Sequence, residues 1–152
     1  MERPLVVTHP DDSVTDIIRE AGELAADLDI PLRVLTVVTS EEYDNDTDVL
    51  DAIGTIEGSV SQPRPEQYAK RVAAQAADDL LSDLDLKTIP IGAYVEDADR
   101  QAAKILEVAR QHECDYIFMF GRRRSPTGKA IFGDTAQKVI LNFDQYVVTT
   151  VR

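Results

Sequence analysis

The chain has 152 residues, 43 % hydrophobic and 29 % charged, enough for one α/β-sized domain with a real core. Its 28 acidic residues outnumber 16 basic ones, and the formal charge of −12 repels phosphate backbones and anionic lipid, which argues against nucleic acid or a membrane surface as partner. A single cysteine, Cys114, excludes an intramolecular disulfide and a cysteine-based zinc site.

Met1-Glu2-Arg3-Pro4 leads into a short β-rich run, Leu5 to Thr8, rather than a signal sequence. No apolar run approaches bilayer length, so the expected location is the cytoplasm. After the breaker Pro10-Asp11-Asp12-Ser13, apolar residues at Val14, Ile17, Ile18, Ala21, Leu24, Ala25 and Leu28 predict a helix with one buried face. Asp12 or Ser13 is the expected N-cap, and Asp29-Ile30-Pro31 the stop. Leu32 to Val38 reads as the second strand. Residues 39 to 63 are irregular and acidic at the start, with a short helix expected over Asp48 to Ile56.

A long helix begins near Pro65, a favoured first-turn residue, with Tyr68, Val72, Ala76, Leu80 and Leu84 as its stripe. Thr88 to Val95 is the third strand, and Pro90, which cannot donate to a ladder, places it at a sheet edge. Asp97 to Gln111 forms a helix with Ala102, Ile105, Leu106 and Ala109 inward. The continuous apolar run Tyr116 to Phe120 reads as a central parallel strand covered on both faces. A final helix from about Thr135 turns Ala136, Val139, Ile140 and Phe143 inward. Tyr146 to Val151 is a β-branched last strand at the other edge.

Five strands alternating with helices, without repeat or linker, predict a single α/β domain over residues 1–152, with a mostly parallel five-stranded sheet between helices. Ligands of such sheets lie at the carboxyl ends of the strands. That directs attention to Thr8 to Ser13, Val38 to Glu42 and Gly121 to Asp134.

The last of these, GRRRSPTGKAIFGDTAQ, carries the densest basic cluster of an acidic chain: Arg122, Arg123, Arg124 and Lys129. Gly121, Gly128 and Gly133 permit backbone N–H groups to converge on an anion, and the following helix N-terminus adds a favourable dipole. The competing reading is structural. Asp134-Thr135-Ala136-Gln137 has the form of a capping box, in which Asp134 would take the amides an anion needs. The arginines would then pair with acids across a subunit contact or face solvent.

The alternation of elements, a glycine at the end of the fourth strand and the polar start of the last helix together resemble the universal stress protein family, over essentially the whole chain. The resemblance implies sheet order 3-2-1-4-5 and a regulatory, non-enzymatic role. Nucleotide-binding members share G-x2-G-x9-G-[S/T], whose loop amides hold the phosphates of ATP. Here Gly121 matches the first glycine and Gly133 the third. Arg124 replaces the second, the next spacer is one residue short, and Asp134 stands in place of Ser or Thr, with Thr135 beside it. The resemblance assigns the base to Asp11 (or Asp12) and Val37. The expected ligand is thus a small anion, an adenine nucleotide such as ATP with or without magnesium, held by Asp11, Val37, Gly121, Arg122, Arg124, Ser125, Gly128, Gly133, Asp134 and Thr135. The family also dimerises through its last strand, which implies a homodimer through Tyr146 to Val151. The alternative function is a nucleotide-free dimeric adaptor of the same fold.

Other residues carry less. His9 can contact a ligand or act as an acid/base, but no nucleophile motif stands beside it. His112 suits a helix C-terminus. Asp11-Asp12 also fits phosphoacceptor receiver domains. Those require an aspartate ending the third strand and a lysine after the fifth, which Tyr94-Val95 and Val151-Arg152 do not supply. For Asp11, Asp12 and Asp134 the default is unpaired surface acids, with nucleotide-borne magnesium as the metal alternative.

So acidic a surface repels itself in dilute buffer and suits a salt-rich cytoplasm, the basis for expecting a halophilic source. The melting temperature is expected to rise between low and molar KCl; a flat or falling thermal scan would overturn the expectation.

Overall fold

In the computed structural model, residues 1–9, 15–45, 63–124 and 130–150 are described, with backbone alone at 122–124 and 130–132. The central sheet uses β1 (Pro4–Thr8), β2 (Leu32–Thr39), β3 (Thr88–Val95), β4 (Tyr116–Met119) and β7 (Tyr146–Thr149) in the order β3-β2-β1-β4-β7. All four pairings are parallel. Counting only sheet strands, this is the expected order 3-2-1-4-5. Pro90 does sit on an edge strand, where its missing N–H leaves no ladder gap.

Alternation along the strands divides the core into two layers. Val6, Val34 and Phe118 face α1 (Asp16–Asp27) and α2 (Pro65–Leu81), meeting Ile17, Ile18, Ala21, Ala73 and Leu81. Leu5, Leu35, Val37, Ile117 and Met119 face α3 (Gln101–Gln111) and α4 (Asp134–Asn142), meeting Ile105, Ala109, Ala136 and Val139. α3 carries its expected inward residues, but a 3-10 turn, Ala98–Arg100, precedes it.

Several local expectations are corrected. The described α1 starts at Asp16 with Thr15 as N-cap; Asp12 and Ser13 lie outside the described residues. Leu24 and Leu28, expected inward, are exposed. The helix ends in a Schellman arrangement: the Ile30 amide donates to the Ala25 carbonyl and the Asp29 amide to the Ala26 carbonyl, with Asp29 at φ 54°. α3 ends the same way, with Glu113 at φ 54° and the Cys114 amide on the Ala109 carbonyl at 2.8 Å. The stops are therefore set by backbone geometry at Asp29 and Glu113, before Pro31 acts.

α2 begins at Pro65, and the Gln67 side chain accepts from the Arg64 amide at 3.2 Å. Its buried face is Ala69, Ala73, Ala76, Ala77 and Leu81; of the expected stripe Ala76 is buried, Leu80 and Leu84 pack half-buried against the core, and Tyr68 and Val72 are half-buried. The alanines reflect close approach. A Cβ on Gly92 of β3 would overlap the backbone of Glu66 and Lys70, so the helix lies almost directly on the strand and only alanines fit between. The short helix expected over Asp48 to Ile56 lies outside the described residues; residues 40–45 are helical. Tyr43 bridges from there to α2, its hydroxyl donating to the Pro63 carbonyl at 2.6 Å and its ring meeting Tyr68 edge-on at 5.9 Å.

β4 stops at Met119, and Phe120, expected inside the strand, is 42 % exposed. On α4, Ala136 and Val139 are buried but Ile140 is exposed. Among the described residues, no helix is long and apolar enough to cross a membrane.

Asp115 fastens the chain start to β4. Its carboxylate accepts the amides of Glu2 at 2.8 Å and Arg3 at 2.9 Å, and the terminal ammonium lies 3.9 Å away. Burial pushes the carboxyl up, but the two amide bonds and the ammonium outweigh it and hold the group below its ordinary value. With the folded value depressed, the stabilisation is present above the unfolded value of about 4 and is lost as pH falls through the folded one. Asp115→Ala should therefore cost about 1–2 kcal/mol at neutral pH. Urea titrations of both proteins should show that gap closing toward pH 2, and a gap independent of pH would refute the assignment.

Candidate functional site

Because the sheet is parallel, β1, β2 and β4 all end at one rim. The order reverses between β1 and β4, where an α/β sheet opens a crevice for ligands. The β1–β4 pairing runs from Pro4↔Tyr116 to Val6↔Phe118. Thr8 and Thr36, on adjacent strands, share a buried hydroxyl–hydroxyl hydrogen bond of 2.6 Å, which satisfies two polar groups in an otherwise apolar layer.

At the end of β2, Thr39 and Glu42 form a true capping box. The Glu42 carboxylate accepts the Thr39 amide at 2.9 Å, and the Glu42 amide donates to the Thr39 hydroxyl at 3.2 Å. Its other oxygen lies 3.6 Å from His9 Nε2, so the histidine after β1 and the first helical turn after β2 are tied across the rim. The signal was Thr39-x-x-Glu42, inside a stretch that reads as merely acidic.

The segment after β4 is not an open loop. Gly121 leads into β5 (Arg122–Arg124), which pairs antiparallel with β6 (Ala130–Phe132) in the register Arg122↔Phe132, Arg123↔Ile131 and Arg124↔Ala130. The hairpin is closed at its neck by a 3.0 Å bond from the Gly133 amide to the Gly121 carbonyl. The Gly121 amide donates in turn to the Thr150 hydroxyl at 3.4 Å. The amides of both glycines are thus engaged in building the neck, in contrast to the expected convergence of loop amides on a ligand.

The anion donors lie one step further on. Gly133 is the N-cap of α4 and Asp134 its first helical residue, so the expected capping box on Asp134 does not form. The first intrahelical bond is from the Gln137 amide to the Gly133 carbonyl, at 3.0 Å. The amides of Asp134, Thr135 and Ala136 precede it and have no partner within the helix, and no described side chain caps them. A Cβ at Gly133 would meet nothing within 4 Å, so the space before these amides is open.

That space is a cavity of about 330 Å³. Gly121, Gly133, Asp134 and Thr135, four of the sequence-predicted residues, line it together with Phe120 and Lys138. Ala98 and Asp99, from the turn before α3, close the far wall. Arg122 and Arg124 belong to β5, the strand that follows Gly121, and are not among the lining residues. Val37 does not line it; it is buried in the layer under α3 and α4. Asp11, Asp12, Ser125, Gly128 and Lys129 lie outside the described residues. Phe120, Asp99 and Lys138 are lining residues that sequence reasoning missed. Of these, only Lys138 carried a signal, one helical turn after Asp134 and on the same face.

His112 does stand at the C-cap of α3, but its Nδ1 accepts from Arg33 Nε at 3.4 Å instead of serving only the helix end. Among the described residues, no cluster of three or more histidine, cysteine or carboxylate groups is placed to hold a metal.

The family model described as the Universal stress protein family matches residues 1–150, and the chain belongs to that family. The solved universal stress protein from Archaeoglobus fulgidus is 21 % identical, with a TM-score of 0.60 over 98 % of this chain and 97 % of that one. The same organism's protein in complex with dAMP is 16 % identical at 0.52, covering 98 % and 96 %. A universal stress protein in complex with cAMP is 15 % identical at 0.55, covering 98 % and 95 %. No curated protein gives a significant match. At these identities the solved structures bear on the fold.

Proposed function

We propose that this universal stress protein is a regulatory binding protein whose ligand is a small anion, an adenine nucleotide, with its phosphate at the N-terminus of α4. The observation that carries the reading is the row of first-turn amides, Asp134 to Ala136, without a described cap and opening into the cavity that Gly121 and Gly133 shape. Unsatisfied N–H groups and the positive end of a helix dipole favour a phosphate there. Structures with this fold contain dAMP and cAMP, which supports the ligand class. Arg122 and Arg124, in the strand that follows Gly121, would supply guanidinium charge, and magnesium would enter only on a nucleotide. No nucleophile or general base is assigned, and the reading is binding without turnover.

Calorimetry at high KCl with ATP, ADP and AMP is expected to give saturable heats for the wild type. Combined Arg122→Ala and Arg124→Ala should reduce affinity about tenfold or more, since charge-assisted hydrogen bonds each contribute roughly 1.5–3 kcal/mol. Undetectable heats with all three nucleotides would leave the adaptor function instead.

The proposal extends to a homodimer through β7. This strand is a sheet edge, with β4 on one side only. Tyr146 stacks on Tyr116 at 4.8 Å yet stays 60 % exposed, and Leu141 nearby in the chain is 72 % exposed. An uncovered β-branched edge with apolar neighbours suits antiparallel pairing with a second copy. Val148→Pro is expected to convert a dimer to a monomer on sizing chromatography. A dimer that survives it would place the contact elsewhere.

A further inference from the structure

A parallel sheet is normally covered on both faces, because its crossovers lay helices over each of them. Here one face is covered only in part. α2 lies over β2 and β3, and α1 over β1 and β4. Val147 of β7 packs into the layer of α3 and α4, whereas Tyr146 and Val148 face the α1 side. There Val148 is half-buried and Tyr146 is 60 % exposed. Tyr146 stacks on Tyr116 at 4.8 Å, so the two rings form one open floor across β4 and β7. Each is the first residue of its strand, which sets this floor at the opposite end of the sheet from the cavity at Gly133.

α1 supplies the wall. Its Gly22 edge faces α2, where a Cβ would overlap Leu81, and Arg19 bonds the Leu80 carbonyl on the same side. Leu24 lies about 160° around the helix from Gly22, and Leu28 follows one turn on. Both stand away from α2 and are 39 % and 54 % exposed. Leu24, Leu28 and Tyr146 are half of the six large apolar side chains exposed among the described residues, and a grouping of that kind marks a contact surface where scattered single residues do not. The rim is acidic. Glu20 and Asp27 flank Leu24 on the exposed side of α1, Asp144 precedes Tyr146, and none of the three has an ion-pair partner among the described residues. The one base of α1, Arg19, is held by Glu23 and Asp83.

We propose that this face is a docking groove for a single amphipathic helix of a partner protein, with an apolar stripe set between lysines or arginines. The width argues for a helix: two strands about 4.8 Å apart match one helix about 10 Å across, with α1 alongside as its neighbour. The apolar stripe would cover Tyr146, Leu24 and Leu28, the arrangement by which helices dock in grooves. The unpaired carboxylates of the rim select basic flanks. Pairing of a second copy along β7 uses the backbone edge of that strand and leaves this face open, so the groove depends on neither the dimer nor the nucleotide.

The probe is a fluorescent peptide of about 18 residues, five helical turns, with leucine and lysine at helical period. It is titrated by anisotropy into full-length protein at KCl concentrations where circular dichroism shows the protein folded. Saturable binding is expected, weakening as KCl rises. A peptide of the same composition in scrambled order, and a leucine–glutamate peptide of the same period, should bind at least tenfold more weakly. Leu24→Ser combined with Leu28→Ser should weaken the periodic peptide about tenfold or more. Both side chains are already exposed, so the circular dichroism should not change. Ile140→Ser, which alters an exposed apolar residue on the opposite layer, should bind as the wild type does. Scrambled and periodic peptides that bind alike would reduce the contact to charge attraction and overturn the groove. Wild-type affinity in the double variant, an equal loss with Ile140→Ser, or no saturable binding at all would overturn it too. A double variant that also falls to a smaller oligomer on sizing chromatography would make this face a contact with a second copy, and the partner assignment would be wrong.

Discussion

The hydrogen bond from the Gly133 amide to the Gly121 carbonyl brings the start of α4 back to the end of β4. Without it, the residues from Arg122 to Phe132 would separate the two by a long excursion. With it, the excursion becomes an antiparallel hairpin standing on a closed neck, and the chain resumes where the sheet rim ended. The neck is closed by backbone groups, and a Cβ at Gly133 would meet nothing within 4 Å, so the cavity mouth beside it is open. The consequence for chemistry is positional. Three amides that every helix leaves unpaired are delivered to the carboxyl end of a parallel sheet, beside the reversal of strand order where such sheets offer a crevice.

A molecule of charge −12 is a poor host for an anion at long range, and the cavity lining adds Asp99 and Asp134 against Lys138. The two scales separate in salt. At molar ionic strength charges are screened beyond about 3 Å, which silences the repulsion of the distant acidic surface. Hydrogen bonds from backbone amides act at contact and keep their directionality. In the reading proposed, an acidic exterior and an anion at the helix terminus would therefore be compatible in molar salt, and far less so in dilute buffer. Asp134 at the first helical position is consistent with this, since a carboxylate there is stabilised by the helix dipole without needing to cap it.

Period and chain order carried the fold from the sequence. Alternating two-residue and helical patterns placed the strands, Pro90 marked an edge, and the continuous run through Ile117 and Phe118 marked the buried centre. The α2 stripe was found in part: Ala76, Leu80 and Leu84 do pack inward, while the contacts of Ala69 and Ala73 depend on Gly92, a residue on another element whose missing side chain sets how close the helix lies. The sequence placed both helix ends, at Asp29-Ile30-Pro31 and at Gln111, but not how they are made, since neither Asp29 nor Glu113 is a glycine and only the surrounding bonds hold them at positive φ. The site was half legible. Glycines and arginines located it, but whether amides face a ligand or a strand partner depends on pairing between Arg122–Arg124 and Ala130–Phe132, for which no turn residue gave a register. Thr39-x-x-Glu42 was readable and passed over because its surroundings looked like an acidic loop.

The departures from the family's glycine pattern become a coherent set against this hairpin. A glycine in a strand interior weakens it, for it contributes no side chain to cross-strand contact and costs backbone entropy. Arg124 ends β5, where it pairs with Ala130. The same ladder draws backbone groups of residues 122–124 and 130–132 into pairing with one another, so fewer remain to surround a phosphate. This chain carries arginine where the family's pattern has its second glycine, at the end of β5. What it retains are the two glycines at the neck, Gly121 and Gly133, and the helix terminus that follows them. Its anion site, in the reading proposed, depends on the end of α4 more than on the loop, which explains how the middle of the motif can change while its ends persist.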